Sequence, residues 1–308
     1  MSETIPILKQ IRESAGMQMA VLFGSFVIFL ILSTLIGGEI DSLSIGDKRN
    51  GALLASAVQG VLAFGIPAFL LARFASNKPE NWLKINKPFS VKAIFGVLIL
   101  YVLSMPALEW LIEWNQNLHL PQSLSSLEET LRSWEDTNSQ TSNTLLQASG
   151  FGSVVIGVLV IGVLTGVVEE LFFRGGVQGI FMRSKVGLQS SIWIAAFVFS
   201  FMHFQFFGFL PRLLMGAFFG YLLVWTNDLK VSMFAHIFNN SIVVVVAAVN
   251  GIDSLSTTSI LPGSPFLPIL SLASTSIFLW LFRGYFFKDN FKLSLPWQKK
   301  QLPPISGR

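Results

Sequence analysis

The chain has 308 residues, 52% of them hydrophobic and 12% charged, with a mean hydropathy of +0.62; soluble domains carry roughly 25% charged residues, so an ordinary soluble domain is excluded. A net charge of +4 does not point to nucleic acid, because the basic residues sit in short connections between apolar runs and at the C-terminus. The absence of cysteine excludes disulfides, thiolate metal sites and a cysteine nucleophile.

The opening MSETIPILKQIRESAG is polar for too long, and lacks a small-residue cleavage site, to read as a signal peptide. The first apolar run is therefore expected to stay as a membrane span. A helix needs about 20 mainly apolar residues to cross the hydrocarbon core. Eight runs qualify, at about 16–36, 51–72, 92–113, 149–173, 188–208, 211–226, 231–250 and 265–287. None alternates strictly, which argues against a β-barrel. The expected fold is all-α, a polytopic membrane helix bundle of about eight transmembrane helices. With the N-terminus inside, all but Lys48, Arg49, Arg132 and Arg212 of the 21 Lys and Arg fall on the inner side. The positive-inside rule thus predicts an N-in/C-in chain, located as a multi-pass protein of a bacterial inner or plasma membrane.

Three regions follow: 1–148, with three spans and a polar outer loop; 149–250, a helix core that carries the chemistry; and 251–308, a last span and a basic tail. The outer loop, about 114–148, is rich in Ser, Thr, Asn, Gln and acid, and 124–136 predicts a short helix lying over the outer face. His119 in this loop reads as a surface residue. No internal repeat stands out, so any chemistry belongs in or beside the bundle.

The fourth run ends in 165-TGVVEELFFRGG-176. Ionised residues inside a span cost several kcal/mol, ~2.5–3.5 for Asp, Lys or Arg on the gentlest scale, and are functional by default. Glu170 and Arg174 are spaced i,i+4 and can neutralise each other on one helix face. Glu169 is turned about 100° away and has no local partner. Gly162 and Gly166 line its face, where small residues let a second helix backbone approach closely. A buried ion pair with Glu169 protonated and inert would account for this motif alone. But His203, in 199-FSFMH-203, and His236 and Asn240, in 236-HIFNN-240, add polar groups to neighbouring spans. Each needs polar company in lipid, and the nearest is one another or trapped water.

Such a cluster can activate water. A glutamate and a histidine can take its proton, while a second histidine and an amide donate to the oxyanion formed at a carbonyl. The same Glu, His and His could instead hold a divalent metal such as zinc, which would need the three side chains to converge on one point. The order EExxxR (Glu169, Glu170, Arg174), FxxxH (Phe199, His203) and HxxxN (His236, Asn240) resembles the CPBP family of intramembrane proteases. This is the CAAX-protease and bacteriocin-processing group, also called the Abi family, to which eukaryotic type II CAAX prenyl endopeptidase is related. The resemblance covers about 149–247. It implies that Glu169 and His203 activate water, that His236 and Asn240 hold the oxyanion, and that Glu170 and Arg174 support them; on this resemblance a glutamate-dependent mechanism is favoured over a metal such as zinc, and no cofactor is expected. The implied activity is hydrolysis of a peptide bond in a membrane-associated peptide or protein, whether lipid-modified or not, with the bilayer and no nucleic acid as partner.

Other intramembrane protease signatures fit poorly: there is no HExxH, no paired GxGD and YD, and 150-GFGS-153 lacks the glycine that would follow a rhomboid serine. A non-catalytic scaffold, an immunity protein or a transporter is the alternative, though the spans lack the two related halves of a transporter. Depth adds one more expectation. If the fourth span stopped at Phe173, Glu169 would lie near the inner surface and His203 ~24 Å from it. A fourth helix running on to about Met182, or kinked through Gly175, Gly176 and Gly179, repairs this and predicts a cavity open toward the inner side.

Overall fold

The structure is a computed structural model, and it describes residues 6–42, 48–252 and 266–287. The inner-side basic residues Lys288, Lys292, Lys299, Lys300 and Arg308 lie outside the described residues. Every regular element among the described residues is helical. After a short leading helix α1 (Pro6–Glu13) come α2 (Ala15–Ser42), α3 (Lys48–Ala75), a single turn α4 (Pro79–Trp82) and α5 (Val91–Gln116). The outer loop holds α6 (Ser125–Leu146). Then follow α7 (Phe151–Arg183), α8 (Leu188–Phe201), α9 (Phe209–Thr226), α10 (Leu229–Asn250) and α11 (Leu267–Phe286).

Seven of these helices are long and apolar enough to cross a bilayer. The fifth predicted span, 188–208, is shorter than expected: α8 is 14 residues long, ~21 Å at 1.5 Å per residue, short of a hydrocarbon core about 30 Å thick. The chain turns back at residues 202–208, and broken backbone in lipid must find partners inside the protein. It finds them in side chains. Glu135 Oε2 accepts the Phe207 N–H at 2.8 Å, Asn115 Oδ1 accepts the Leu210 N–H at 2.9 Å, and Ser200 Oγ donates to Phe209 O at 2.7 Å. Helix α6, longer than the predicted 124–136, supplies Glu135 and packs Arg132 over Phe207 at 3.9 Å.

Other breaks are repaired in the same way. Pro106 interrupts α5, and the Ser271 hydroxyl of α11 enters the gap, donating to Leu103 O and accepting from Ala107 N. Three of the four cations that the positive-inside count places outside are structural. Arg49 is buried and donates to Leu145 O and to both oxygens of Ser153, tying α3 to the ends of α6 and α7. Arg132 pairs with Glu128 at 2.8 Å, and Arg212 belongs to the site described next. His119 is exposed, as expected of a surface residue, and lies 3.0 Å from Glu128.

Candidate active site

Helix α7 runs unbroken to Arg183, as the predicted extension of the fourth span requires. It is not uniformly α-helical: Val158–Leu164 and Leu171–Gln178 are π-helical. Such turns are rare and concentrate at functional sites. The first one has a visible consequence. Gly157 and Gly162 are five apart, a spacing that an i→i+5 turn holds on one face. With Gly166 they form a stripe against α10, facing Val244, Ser241 and Ile237 in turn. At Gly166 an added Cβ would stand 3.0 Å from the backbone nitrogen of Ile237. This is the close seam expected beside Glu169, and His236 immediately precedes Ile237 on the α10 side of it.

The two adjacent acids lie in different surroundings. Glu170 and Arg174 pair at 2.8 Å with both side chains fully buried. Arg174 also donates to Gly216 O at 2.9 Å and lies over the rings of Phe199 and Phe219, at 4.5 and 5.3 Å. A desolvated guanidinium gains from such rings as well as from its carboxylate. Glu169 keeps 14% of its side chain accessible.

His236 links the acids. Its Nδ1 lies 2.9 Å from Glu170 Oε1 and its Nε2 3.8 Å from Glu169 Oε2. The ring stacks on Phe219, centroids 5.0 Å apart, and meets Phe199 edge-on at 5.7 Å. A carboxylate can only accept, so Nδ1 carries a proton and Nε2 is the atom turned to Glu169. Glu170 therefore orients His236 as well as neutralising Arg174, a task the helical spacing does not reveal. Donation from Nε2 to an oxyanion requires the doubly protonated ring.

His203 lies in the turn beyond α8, with Nδ1 2.7 Å from Phe199 O and its ring against Phe199 at 5.0 Å. A carbonyl also only accepts, so the neutral ring bears its lone pair on Nε2, the tautomer that can take a proton from water. Both histidines thus touch the same phenyl ring. His203 makes no ion pair with Glu169 within 4.0 Å, and His236 is close enough to interact electrostatically with both. Asn240 sits one turn along α10 from His236, and its Nδ2 donates to Ile161 O at 3.2 Å inside the first π segment. One of its amide hydrogens is thereby spent on the helix break.

His203 is at the far end of α8 from the 184–187 turn, beside α6, where Trp134 meets Phe204 edge-on at 6.4 Å.

Arg212 was missed. Its guanidinium donates to Gln205 Oε1 at 2.6 Å and lies within electrostatic reach of Glu169, His203 and Glu135. Its Nη1 is shielded from solvent and has no hydrogen-bond partner. The signal was present, since Arg212 is the lone charge in an apolar stretch from 206 to 226. Among the described residues, no three His, Asp or Glu side chains are grouped as a metal ion would need.

Comparison with known families places residues 151–242 within the model of type II CAAX prenyl endopeptidase, Rce1-like. That stretch covers α7 through the first half of α10, and every residue named in the three motifs falls inside it. No curated protein and no solved structure matches the chain. Motifs, helices and family model coincide on the same residues: the chain is a multi-pass membrane protein whose segment 151–242 is similar to the Rce1-like family of type II CAAX prenyl endopeptidases.

Proposed function

We propose that the chain is an intramembrane endopeptidase that cleaves a membrane-associated peptide or protein with water activated by Glu169, without a metal. The observation that carries this reading is the split between the acids of one helical turn. Glu170 is sealed against Arg174 and His236, whereas Glu169 keeps an open edge 3.8 Å from His236 Nε2. A structural ion pair accounts for the first and leaves the second unexplained.

Glu169 takes a proton as the water oxygen attacks the scissile carbonyl carbon, and His203, through Nε2, is the second acceptor for water beside it. The carbonyl oxygen becomes an oxyanion, held by Nε2–H of His236 and the remaining amide hydrogen of Asn240. The proton then passes from Glu169 to the leaving nitrogen and the C–N bond breaks, which restores the carboxylate. Phe219 and Glu170 fix His236 throughout, and Arg174 holds Glu170 in place.

The membrane and released peptidomes of cells carrying the unmodified chain, Glu169→Gln or Glu170→Gln test the reading. Peptides lost in Glu169→Gln cells, with the variant still present in the membrane, support it. Identical profiles would refute it. Loss of the same cleavage on chelation, restored by zinc, would refute the metal-free version.

A further inference from the structure

The end of the bundle opposite His203 gathers cations that the site does not use. Three segments meet there: the 76–90 connection, the C-terminus of α7 and the α9–α10 turn. Lys84 Nζ donates to Asn227 Oδ1 at 2.5 Å, and Lys87 Nζ to Thr226 O at 3.4 Å. Lys230 Nζ donates to Lys87 O. Arg183 donates to Gly179 O at 2.7 Å and Trp82 O at 2.5 Å, its guanidinium 4.3 Å from the Trp82 ring. These acceptors are all neutral. The carboxylates in the same segments are Glu80, which is exposed, and Asp228, which is buried with one oxygen capping α10 at Lys230 N and the other 3.7 Å from Lys230 Nζ. Positive charge is in clear excess.

The cluster is also held in place. Lys84 and Asn227 both adopt left-handed backbone, φ 58° and 50°, which is strained for a residue with a side chain and persists only where the surroundings enforce it. Their side-chain contact and the Leu229 N–H bond to Lys84 O at 3.0 Å clasp the loop to the α9–α10 turn. Lys84 has its pKa lowered to about 8 by burial and by the nearby charges of Arg183 and Lys87. Cations crowded this closely, with Asp228 beside Lys230 as the one neighbouring buried carboxylate, leave room for an anion.

The adjoining surface says which anion. Phe89 and Val91 are exposed beside Lys87, and the same face of α5 continues through Phe95, Ile99 and Val102, 44–66% exposed from Phe89 to Val102. From Val91 onward these residues recur at three- and four-residue steps, so they form one apolar stripe along α5 that starts beside the cations. A ligand that satisfies both parts has an anionic head and hydrocarbon chains. We infer that Lys84, Lys87 and Lys230 form a binding site for the phosphate of an anionic phospholipid, whose acyl chains lie along the Val91–Val102 face of α5.

Purified full-length chain in a neutral detergent tests this with phosphatidylglycerol, phosphatidylcholine and inorganic phosphate, read by native mass spectrometry and by the melting temperature. Phosphatidylglycerol is expected to stay bound and raise the melting temperature, and the other two are not. Each lysine near a charged headgroup contributes about fivefold in affinity, so Lys87→Gln with Lys230→Gln should weaken phosphatidylglycerol binding ~25-fold. Unmodified chain should release it as salt rises from 0.05 to about 0.5 M, a readout that does not depend on a variant folding. Equal retention of phosphatidylcholine, or salt-insensitive binding, would overturn the site. An equal shift from inorganic phosphate would overturn its assignment to a lipid.

Discussion

The seam between α7 and α10 can be tested at two glycines that look alike in sequence and differ in what they face. A Cβ at position 166 would stand 2.8 Å from Ile237 Cγ1, 3.0 Å from its backbone nitrogen and 3.2 Å from its Cα. Relaxed contacts between carbons are about 3.5–4.0 Å, and backbone of a packed helix cannot rotate away. Gly166→Ala must therefore push α10 back by about half an ångström, at a cost of about 1–3 kcal/mol. His236 adjoins Ile237, so the 3.8 Å approach of Nε2 to Glu169 opens with it. A misplacement approaching 1 Å can cost about a hundredfold in rate. At position 162 the nearest atom is the hydroxyl of Ser241, which can turn, and the Ser241 Cα lies at an ordinary 3.5 Å. Replacing glycine by alanine inside a helix is worth up to about 1 kcal/mol, so Gly162→Ala should be neutral or stabilising. Thermal unfolding in detergent and cleavage of a substrate identified from the peptidomes measure both effects. Equal melting temperatures and activities for the two variants would refute the seam as described.

Three further outcomes follow from the same geometry. Glu170→Ala leaves Arg174 charged and unpaired in a fully buried place, which costs about 3–5 kcal/mol; chemical or thermal unfolding should show it far less stable than Glu169→Gln. Lys84 has a folded pKa of about 8 against an ordinary 10.5, so the unfolded chain binds more protons between those values and stability rises with pH across that window. Below about pH 8 both states are protonated and the charged lysine is a standing cost; Lys84→Met should abolish the rise in melting temperature between pH 8 and 10. Arg212→Gln removes a cation beside Glu169 and His203 and should lower the cleavage rate by one to two orders of magnitude while leaving the helices intact. Unchanged turnover would assign Arg212 to the 202–208 turn alone.

Much of this arrangement is legible in the residues, and what is not has physical causes. The length of α7 follows from requiring Glu169 to lie deep enough to meet its partners, and the glycine stripe marks the seam. The π turns leave no composition signal, only the five-residue step from Gly157 to Gly162. The early end of α8 is hidden because Phe201, Phe204, Phe206 and Phe207 keep the run apolar through the turn. The side chains that satisfy that turn, Asn115 and Glu135, lie 95 and 72 residues away in the chain from the amides they accept. Arg212 reads in the sequence as an outer-side cation because the apolar run of span six starts at about residue 211, which leaves an arginine at its edge. The Glu170–His236 contact joins residues 66 apart, and no helical spacing announces it.

The central claim is that Glu169, and not its buried neighbour, activates the water. Its most direct test is the cleavage rate of Glu169→Gln in purified chain whose helicity and melting temperature match the unmodified protein. Glutamine keeps the size and the contact with His236 and cannot accept the water's proton. The account predicts a loss of at least a thousandfold, to the background of the assay, since general-base action and oriented water are both removed. Cleavage within tenfold of the unmodified chain would contradict it.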